Sequence, residues 1–207
     1  MITPSQLSQD GVVAVIRHAD AKNIKSVAQA LLEGGIHALE ITVENEGGYE
    51  AIEELRNMND ILLGAGTVLT LDQAKASIQA GAKFIVSPIY NLEVLEYCAS
   101  QDILMIPGVF TPTEIVNAIT HGASMVKLFP ASQLGVGYLK NIKAPLPPVS
   151  IMVTGGINVS NMQSYLEAGA VCVGLGSGLV DLKKINDPDF FEEVTRKARQ
   201  AIRIGKR

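Results

Sequence analysis

Short apolar runs and amphipathic stretches alternate along this chain from one end to the other. Runs at residues 12–17, 36–43, 61–67, 83–88, 103–108, 124–130, 150–153 and 171–175 read as strands. They are nearly continuous rather than alternating, as expected of strands buried on both faces. Between them, helical periodicity covers residues 21–33, 49–57, 71–80, 92–100 and 112–120, more weakly 136–142, and a last stretch ending at Gly169. Residues 3–7 form a short capped segment with Pro4 in its first turn, and residues 188–204 an amphipathic tail helix. Three helices close on one phrase, Glu-Gly-Gly-Ile at 33–36 and Ala-Gly-Ala at 80–82 and 168–170, a helix stop followed directly by a strand. The polar, glycine-rich stretch 44–48 reads as a loop.

Strand and helix alternate eight times with no break in composition. That pattern predicts an all-parallel sheet with helices outside it, and eight units close into a (β/α)8 TIM barrel, an α/β fold. We expect a single domain over residues 1–207 with a short N-terminal helix. An open doubly wound sheet competes, but the first strand–helix turn lacks Gly-x-Gly-x-x-Gly and the count favours closure.

Composition narrows the function. Hydrophobic residues are 47% of 207, enough for a large core, while charged residues are 18% and the net charge is −4. An acidic chain without a basic block argues against nucleic-acid binding. No leader and no membrane-spanning run is read, so a cytoplasmic protein without a membrane partner is expected. Cys98 and Cys172 lie far apart in apolar surroundings and read as buried, reduced thiols. His18, His37 and His121 are scattered without zinc spacing, so no metal and no cofactor is expected.

The chemistry should lie where the strands end, because barrels carry their sites at that face. The run at 124–130 holds Lys127 amid apolar residues. Burial disfavours an ammonium relative to the free amine, and the free amine is the form that attacks a carbonyl. A structural alternative is a strand-end lysine that reaches back to water. At 38–43, a period of two puts Leu39, Ile41 and Val43 on the helix side and Ala38, Glu40, Thr42 and Glu44 on the inner side. Glu40 thus points at the barrel interior, either as the partner of a buried ion pair or as an acid/base. Arg17, Thr67, Pro88, Pro107-Gly108, Phe129 and Thr154 end or follow their strands. Glycine turns at Gly155-Gly156 and at Gly176-Ser177-Gly178 offer exposed backbone N–H groups, the first leading into a helix start, as phosphate sites do. Gly64 to Thr67 is a weaker case that could simply turn the chain.

Six phrases carry a resemblance: Glu-Ile-Thr at 40–42, Gly-Ala-Gly-Thr-Val at 64–68, Phe-Ile-Val-Ser-Pro at 84–88, Ile-Pro-Gly-Val-x-Thr-Pro-x-Glu at 106–114, Val-Lys-Leu-Phe-Pro-Ala at 126–131 and Thr-Gly-Gly-Ile at 154–157. Together, in this order and over almost the whole chain, they resemble the 2-keto-3-deoxy-6-phosphogluconate (KDPG) / 4-hydroxy-2-oxoglutarate (KHG) aldolases. The resemblance implies a metal-independent class I aldolase, typically a homotrimer, cleaving KDPG to pyruvate and glyceraldehyde 3-phosphate in carbohydrate metabolism of the Entner–Doudoroff type. It implies Lys127 as the Schiff-base lysine and Glu40 as general acid/base. Thr67 and Pro88 would line the pyruvate end, Phe129 would pack on the substrate and Arg17 would sit near its carboxylate. Gly155, Gly156, Gly176 and Ser177 would hold the phosphate. Thr154 fits the gluconate branch better than the galactonate branch. The galactonate epimer, KHG, or a non-catalytic anion-binding barrel are the alternatives. The chain departs from the family pattern at Glu44, where some members have an arginine that holds the keto-acid carboxylate, at Val153 in place of proline, and at Ile89-Tyr90 after Ser87-Pro88.

Overall fold

The computed structural model describes residues 1–206. Its strands are β1 (Val12–Ile16), β2 (Ala38–Thr42), β3 (Leu62–Gly66), β4 (Phe84–Val86), β5 (Leu104–Ile106), β6 (Gly108–Val109), β7 (Met125–Leu128), β8 (Ser150–Thr154) and β9 (Cys172–Leu175). They pair in the order β5-β4-β3-β2-β1-β9-β8-β7-β6, and every pairing is parallel. β5 and β6 flank Pro107, which has no N–H to give a ladder. They are one strand interrupted there: Pro107 O accepts from Lys127 N at 2.8 Å and Val109 O from Phe129 N at 3.1 Å. The sheet therefore closes on eight strand positions, the barrel expected from the alternation.

The helices are α1 (Pro4–Leu7), α2 (Ile24–Glu33), α3 (Glu46–Leu55), α4 (Leu71–Ala80), α5 (Leu92–Ser100), α6 (Pro112–Thr120), α7 (Ala131–Lys143), α8 (Met162–Glu167) and α9 (Phe190–Gly205). The shared helix stop is real. Gly81 and Gly169 take φ of 121° and 100°, and Ala82 N and Ala170 N reach back to Ser77 O and Tyr165 O at 3.0 Å each. Each bond satisfies a carbonyl the helix end would leave open and turns the chain into the next strand.

The period of two splits each strand between two cores. Outward residues such as Ile16, Leu39, Ile41, Ala65, Ile85, Val126 and Val173 meet the helices. Inward residues Val13, Ala38, Phe84, Val86, Leu104, Ile106, Met125, Met152 and Cys172 fill the N-terminal half of the barrel. Leu7 of α1 belongs to this inner cluster, so the short first helix, held by a Thr3–Gln6 capping box, plugs the barrel floor.

Four of the differences from the expected boundaries have a local cause. Residues 21–23 form a turn because Asp20 Oδ1 accepts from Asn23 N at 3.0 Å, so α2 begins at Ile24. Gly47 and Gly48 lie in the first turn of α3 instead of a loop: a Cβ at Gly48 would stand 2.4 Å from Thr42 O, so the glycine serves close approach to β2. α7 is longer than residues 136–142 and is broken at Gly135 (φ 77°, ψ 168°). After Gly156 the chain first makes a turn, with Asn158 N donating to Asn161 Oδ1 at 2.9 Å, and α8 starts only at Met162.

Candidate active site

Glu40 sits mid-strand in β2, paired in register with Val15 and Gly64, and is fully buried (0% exposed). Lys127 sits in β7, paired with Gly108 and Met152, and is 4% exposed. Both side chains enter the barrel from opposite sides, and Lys127 Nζ lies 3.8 Å from Glu40 Oε1. That is an ion-pair distance, too long for a hydrogen bond. Among the described residues neither Glu40 oxygen has a hydrogen-bond partner. Burial raises the Glu40 carboxyl above its ordinary value; Lys127 and Arg17 pull against that rise, and Glu44 adds to it. A buried carboxylate with unfilled acceptors beside a buried amine is costly as a purely structural device.

Two glycines and one aromatic shape this pair. Gly66 ends β3 instead of merely turning the chain: a Cβ there would lie 2.0 Å from Glu40 Oε1. Gly108 lets the broken β5–β6 strand press onto Pro88, whose carbonyl carbon would stand 2.1 Å from its Cβ. Phe129, on the same face as Lys127, places its ring centroid 5.2 Å from Nζ. Its peptide to Pro130 is cis. Below the pair lies Cys172, whose thiol is pushed up to about 12 by burial and by the charge of Glu40. Cys98, buried outside the barrel, is also pushed up to about 12 by burial. Both are free thiols, and neither has the thiolate character a nucleophile needs.

The other expected residues fall around the same mouth. Thr67 follows β3 with φ 61°, an unusual conformation for a β-branched residue and a mark of local strain. Thr154 ends β8, is 8% exposed, and among the described residues its hydroxyl has no partner. Thr42, by contrast, gives its hydroxyl to Ile16 O at 3.3 Å and is structural. The two glycine turns come together, since a Cβ at Gly178 would lie 3.4 Å from Asn158 Cβ. Gly155 and Gly156 take φ of 92° and 73°, and Gly156 has Ser132 Oγ where a Cβ would be, only 2.0 Å away. Ser132 was not singled out from the sequence; its position after the cis-proline turn carried no signal. Arg17 stands at the end of β1, 3.3 Å from Glu44 Oε1, and His18 Nδ1 lies 3.2 Å from the same oxygen. Arg17, His18, Ser177 and Lys183 help to line a cavity of about 660 Å³ beside the mouth. A larger groove of about 1630 Å³ runs outside the barrel between α2, α3 and α9, remote from this chemistry. Among the described residues no group of three or more His, Cys, Asp or Glu side chains could hold a metal ion, and no helix is long and apolar enough to cross a membrane.

Fold and site together define an α/β barrel with a buried lysine–carboxylate pair in its interior, below a mouth formed by the C-terminal ends of its strands, an arrangement suited to amine chemistry on a carbonyl. The sequence matches the family model for KDPG and KHG aldolase over residues 4–196, and the chain belongs to that family. It is 36% identical over 195 residues to a 2-dehydro-3-deoxy-phosphogluconate aldolase of Treponema pallidum, covering 93% of this chain and 92% of that one. It is also 36% identical over 171 residues to a probable 2-dehydro-3-deoxy-6-phosphogalactonate aldolase of Rhizobium meliloti, covering 81% of each. Overall identity therefore does not separate the two epimers. Among solved structures, a KDPG aldolase from Legionella pneumophila, with pyruvate captured at low pH as a covalent carbinolamine intermediate, superposes with a TM-score of 0.90. It is 33% identical, over 97% of this chain and 98% of that one.

Proposed function

We propose that this protein is a class I aldolase cleaving KDPG to pyruvate and glyceraldehyde 3-phosphate. The observation that carries the reading is the buried Lys127–Glu40 pair, 3.8 Å apart, with both carboxylate oxygens unbonded among the described residues. The Lys127 amine adds to the C2 ketone. Glu40 supplies the proton that lets the carbinolamine oxygen leave as water, and the iminium forms. Glu40, now a carboxylate, takes the C4 hydroxyl proton as the C3–C4 bond breaks. The bonding electrons pass into the iminium, leaving an enamine while the aldehyde departs. Protonation at C3 and hydrolysis then free pyruvate and the lysine.

Thr67, Pro88 and Phe129 line the pyruvate end in this reading, and Arg17 takes the carboxylate. Gly155, Gly156, Gly176 and Ser177 hold the phosphate through backbone N–H groups and a hydroxyl. The unpartnered Thr154 hydroxyl is available to a substrate hydroxyl, and a threonine at this position fits the gluconate branch of the family. A homotrimer, a cytoplasmic location and a role in an Entner–Doudoroff route follow the family expectation. For the trimer, support comes from exposed Leu69, Ile89, Phe110 and Val116 on neighbouring loops and α6. Asn91 Nδ2 donates to Leu69 O at 3.0 Å and Gly108 N to Ile89 O at 3.1 Å, which ties these loops side by side.

Borohydride reduction in the presence of pyruvate, with peptide mapping, tests the mechanism: an adduct on Lys127 is expected, and none in Lys127→Ala. Absence of any adduct in the folded parent would leave an anion-binding barrel instead. Comparing kcat/KM for KDPG, its galactonate epimer and KHG tests the substrate, and a higher value for either alternative would displace KDPG.

A further inference from the structure

Glu44 stands two residues beyond β2, on the inward period shared by Glu40 and Thr42. Its side chain is 19% exposed, whereas those of its partners Arg17 and His18 are 53% and 65% exposed. The acid is thus the sheltered member of the cluster, and Arg17 and His18 are the open ones. Neither Glu44 oxygen makes a hydrogen bond among the described residues; Oε1 lies at ion-pair distance, 3.3 Å from Arg17 Nη2, with His18 Nδ1 3.2 Å away. His18 reaches it from a left-handed backbone conformation, φ 54°. Charged neighbours on the same cavity do not replace this contact. Asp20 accepts from Asn23 at 3.0 Å, and Asp181 accepts from Lys183 N at 3.3 Å.

The guanidinium that would receive a ligand carboxylate is therefore already facing one. We propose that Glu44 is a positioning residue that acts as an internal stand-in for the ligand's carboxylate: it holds Arg17 in the empty site and reclaims it as the product leaves. This inference rests on the aldolase reading, in which Arg17 receives the keto-acid carboxylate. It explains how an acid can stand at the mouth of a site for anions. The pair neutralises both groups while the site is empty, sets Arg17 in place, and lowers the affinity for pyruvate so that product is released. A carboxylate bound at Arg17 displaces Glu44 from the guanidinium and leaves it to His18. Electrostatic reach to the reacting pair is also present, since Arg17 and Glu44 act on the Glu40 carboxyl in opposite directions.

The test is Glu44→Gln, read by the pyruvate concentration that half-saturates borohydride trapping and, independently, by calorimetric binding of pyruvate. Removing the competing charge should tighten pyruvate by about two- to fivefold, the scale of a partly exposed ion pair. KM for KDPG and the inhibition constant for pyruvate should fall together without a matching rise in kcat. Binding of pyruvamide, which lacks the charge, should not change. Arg17→Gln in the Glu44→Gln background should erase the gain. Unchanged or weaker pyruvate binding in a folded Glu44→Gln protein would overturn the proposal, as would equal tightening of pyruvamide. Absence of trapping in the parent would defeat the aldolase reading, and the calorimetric comparison of parent with Glu44→Gln would still decide the role of Glu44.

Discussion

Alanine at position 66 would place a methyl carbon 2.0 Å from Glu40 Oε1 and 2.6 Å from its Cδ and Cγ. Contact distances between such atoms run to about 3.5 Å, so the carboxyl must retreat by about 1 Å or more. It cannot do so by swinging one terminal atom, because the clash involves the side chain from Cγ outward and Glu40 is fully buried. Gly66 has no positive φ, so the backbone accepts alanine and the perturbation falls on the carboxyl. Overpacking of this kind costs about 1–3 kcal/mol of stability. A displacement of about 1 Å in a catalytic group costs on the order of 10²-fold in rate, and complete loss of its proton transfer about 10²–10⁴-fold. Gly66→Ala should therefore lower kcat by at least about 10²-fold, while pyruvate trapping on Lys127 becomes slower, since Glu40 also serves iminium formation, yet still reaches completion. The assay is pyruvate release under saturating KDPG, with urea unfolding to establish that the variant is folded. A kcat within about threefold of the parent would refute the claim that Glu40 is held in place by the missing Cβ. Failure to trap pyruvate even at long incubation would show instead that the whole site had collapsed.

Gly108→Ala should destabilise far more, by about 3 kcal/mol or more, because its Cβ would meet backbone atoms of Pro88 at 2.1 and 2.2 Å that no side-chain rotation can clear; an unchanged urea midpoint would remove the seam from the list of tight contacts. Thr154→Val removes a buried hydroxyl without a partner among the described residues. Stability should rise by about 1 kcal/mol, while kcat/KM for KDPG falls, and a loss of stability would show that the hydroxyl was satisfied. Glu40, raised from 4.5 mainly by burial, gives a pH signature. Between 4.5 and its raised value the folded protein keeps a proton the unfolded chain has lost, so this group makes stability fall as pH rises through that window. Activity that needs the Glu40 carboxylate falls as pH drops through the same raised value. An acid limb at the ordinary value, or one that survives in Glu40→Gln, would assign it to another group.

Much of this was legible in the chain because the signals are local. Buried parallel strands must be apolar throughout, so their number could be counted, and helices α4 to α6 begin and end where Leu71, Leu92 and Pro112 and the following stops place them. The inward aim of Glu40 followed from its period of two with Ala38 and Thr42. The misses share a different cause, a neighbour that the local sequence does not name. Gly48 looked like loop chemistry but exists because Thr42 O is 2.4 Å from its absent Cβ, and Gly66 looked like a turn but makes room for Glu40. Pro107 was visible, yet its effect as a break between β5 and β6 depends on which strands pair on either side. The Glu44–Arg17–His18 cluster joins the ends of β1 and β2 through tertiary placement, and only the charge reversal at Glu44 hinted at it. Identification of the residues around the mouth leaned on the family resemblance more than on pattern.

The two halves of the barrel interior explain each other. The lower half is filled by Leu7, Phe84, Leu104, Ile106, Met125, Met152 and Cys172, all buried. Large side chains there supply the apolar burial that offsets a charged pair above, since each fully buried side chain of this size contributes about 1.5–3 kcal/mol. They also set the chemistry of that pair. Water is excluded from below, so the Glu40 carboxyl rises above its ordinary value and Cys172, beside it, is held as a thiol near 12. Glycines at 64, 66 and 174 then take the place of bulk, Gly64 beside the floor and Gly66 and Gly174 above it. A Cβ at Gly64 would meet the Phe84 ring at 2.3 Å, one at Gly66 the Glu40 carboxyl at 2.0 Å, and one at Gly174 the Thr154 hydroxyl at 2.6 Å. Gly64 and Gly66 each give their space to one neighbour, and Gly174 shares its own between Thr154 and Met152, whose Cε would stand 2.7 Å away. The floor therefore tunes the acid, and Gly66 aims it: filling the upper half would bury the pair as a dead ion pair, and opening the floor to water would return Glu40 to the behaviour of a surface carboxylate.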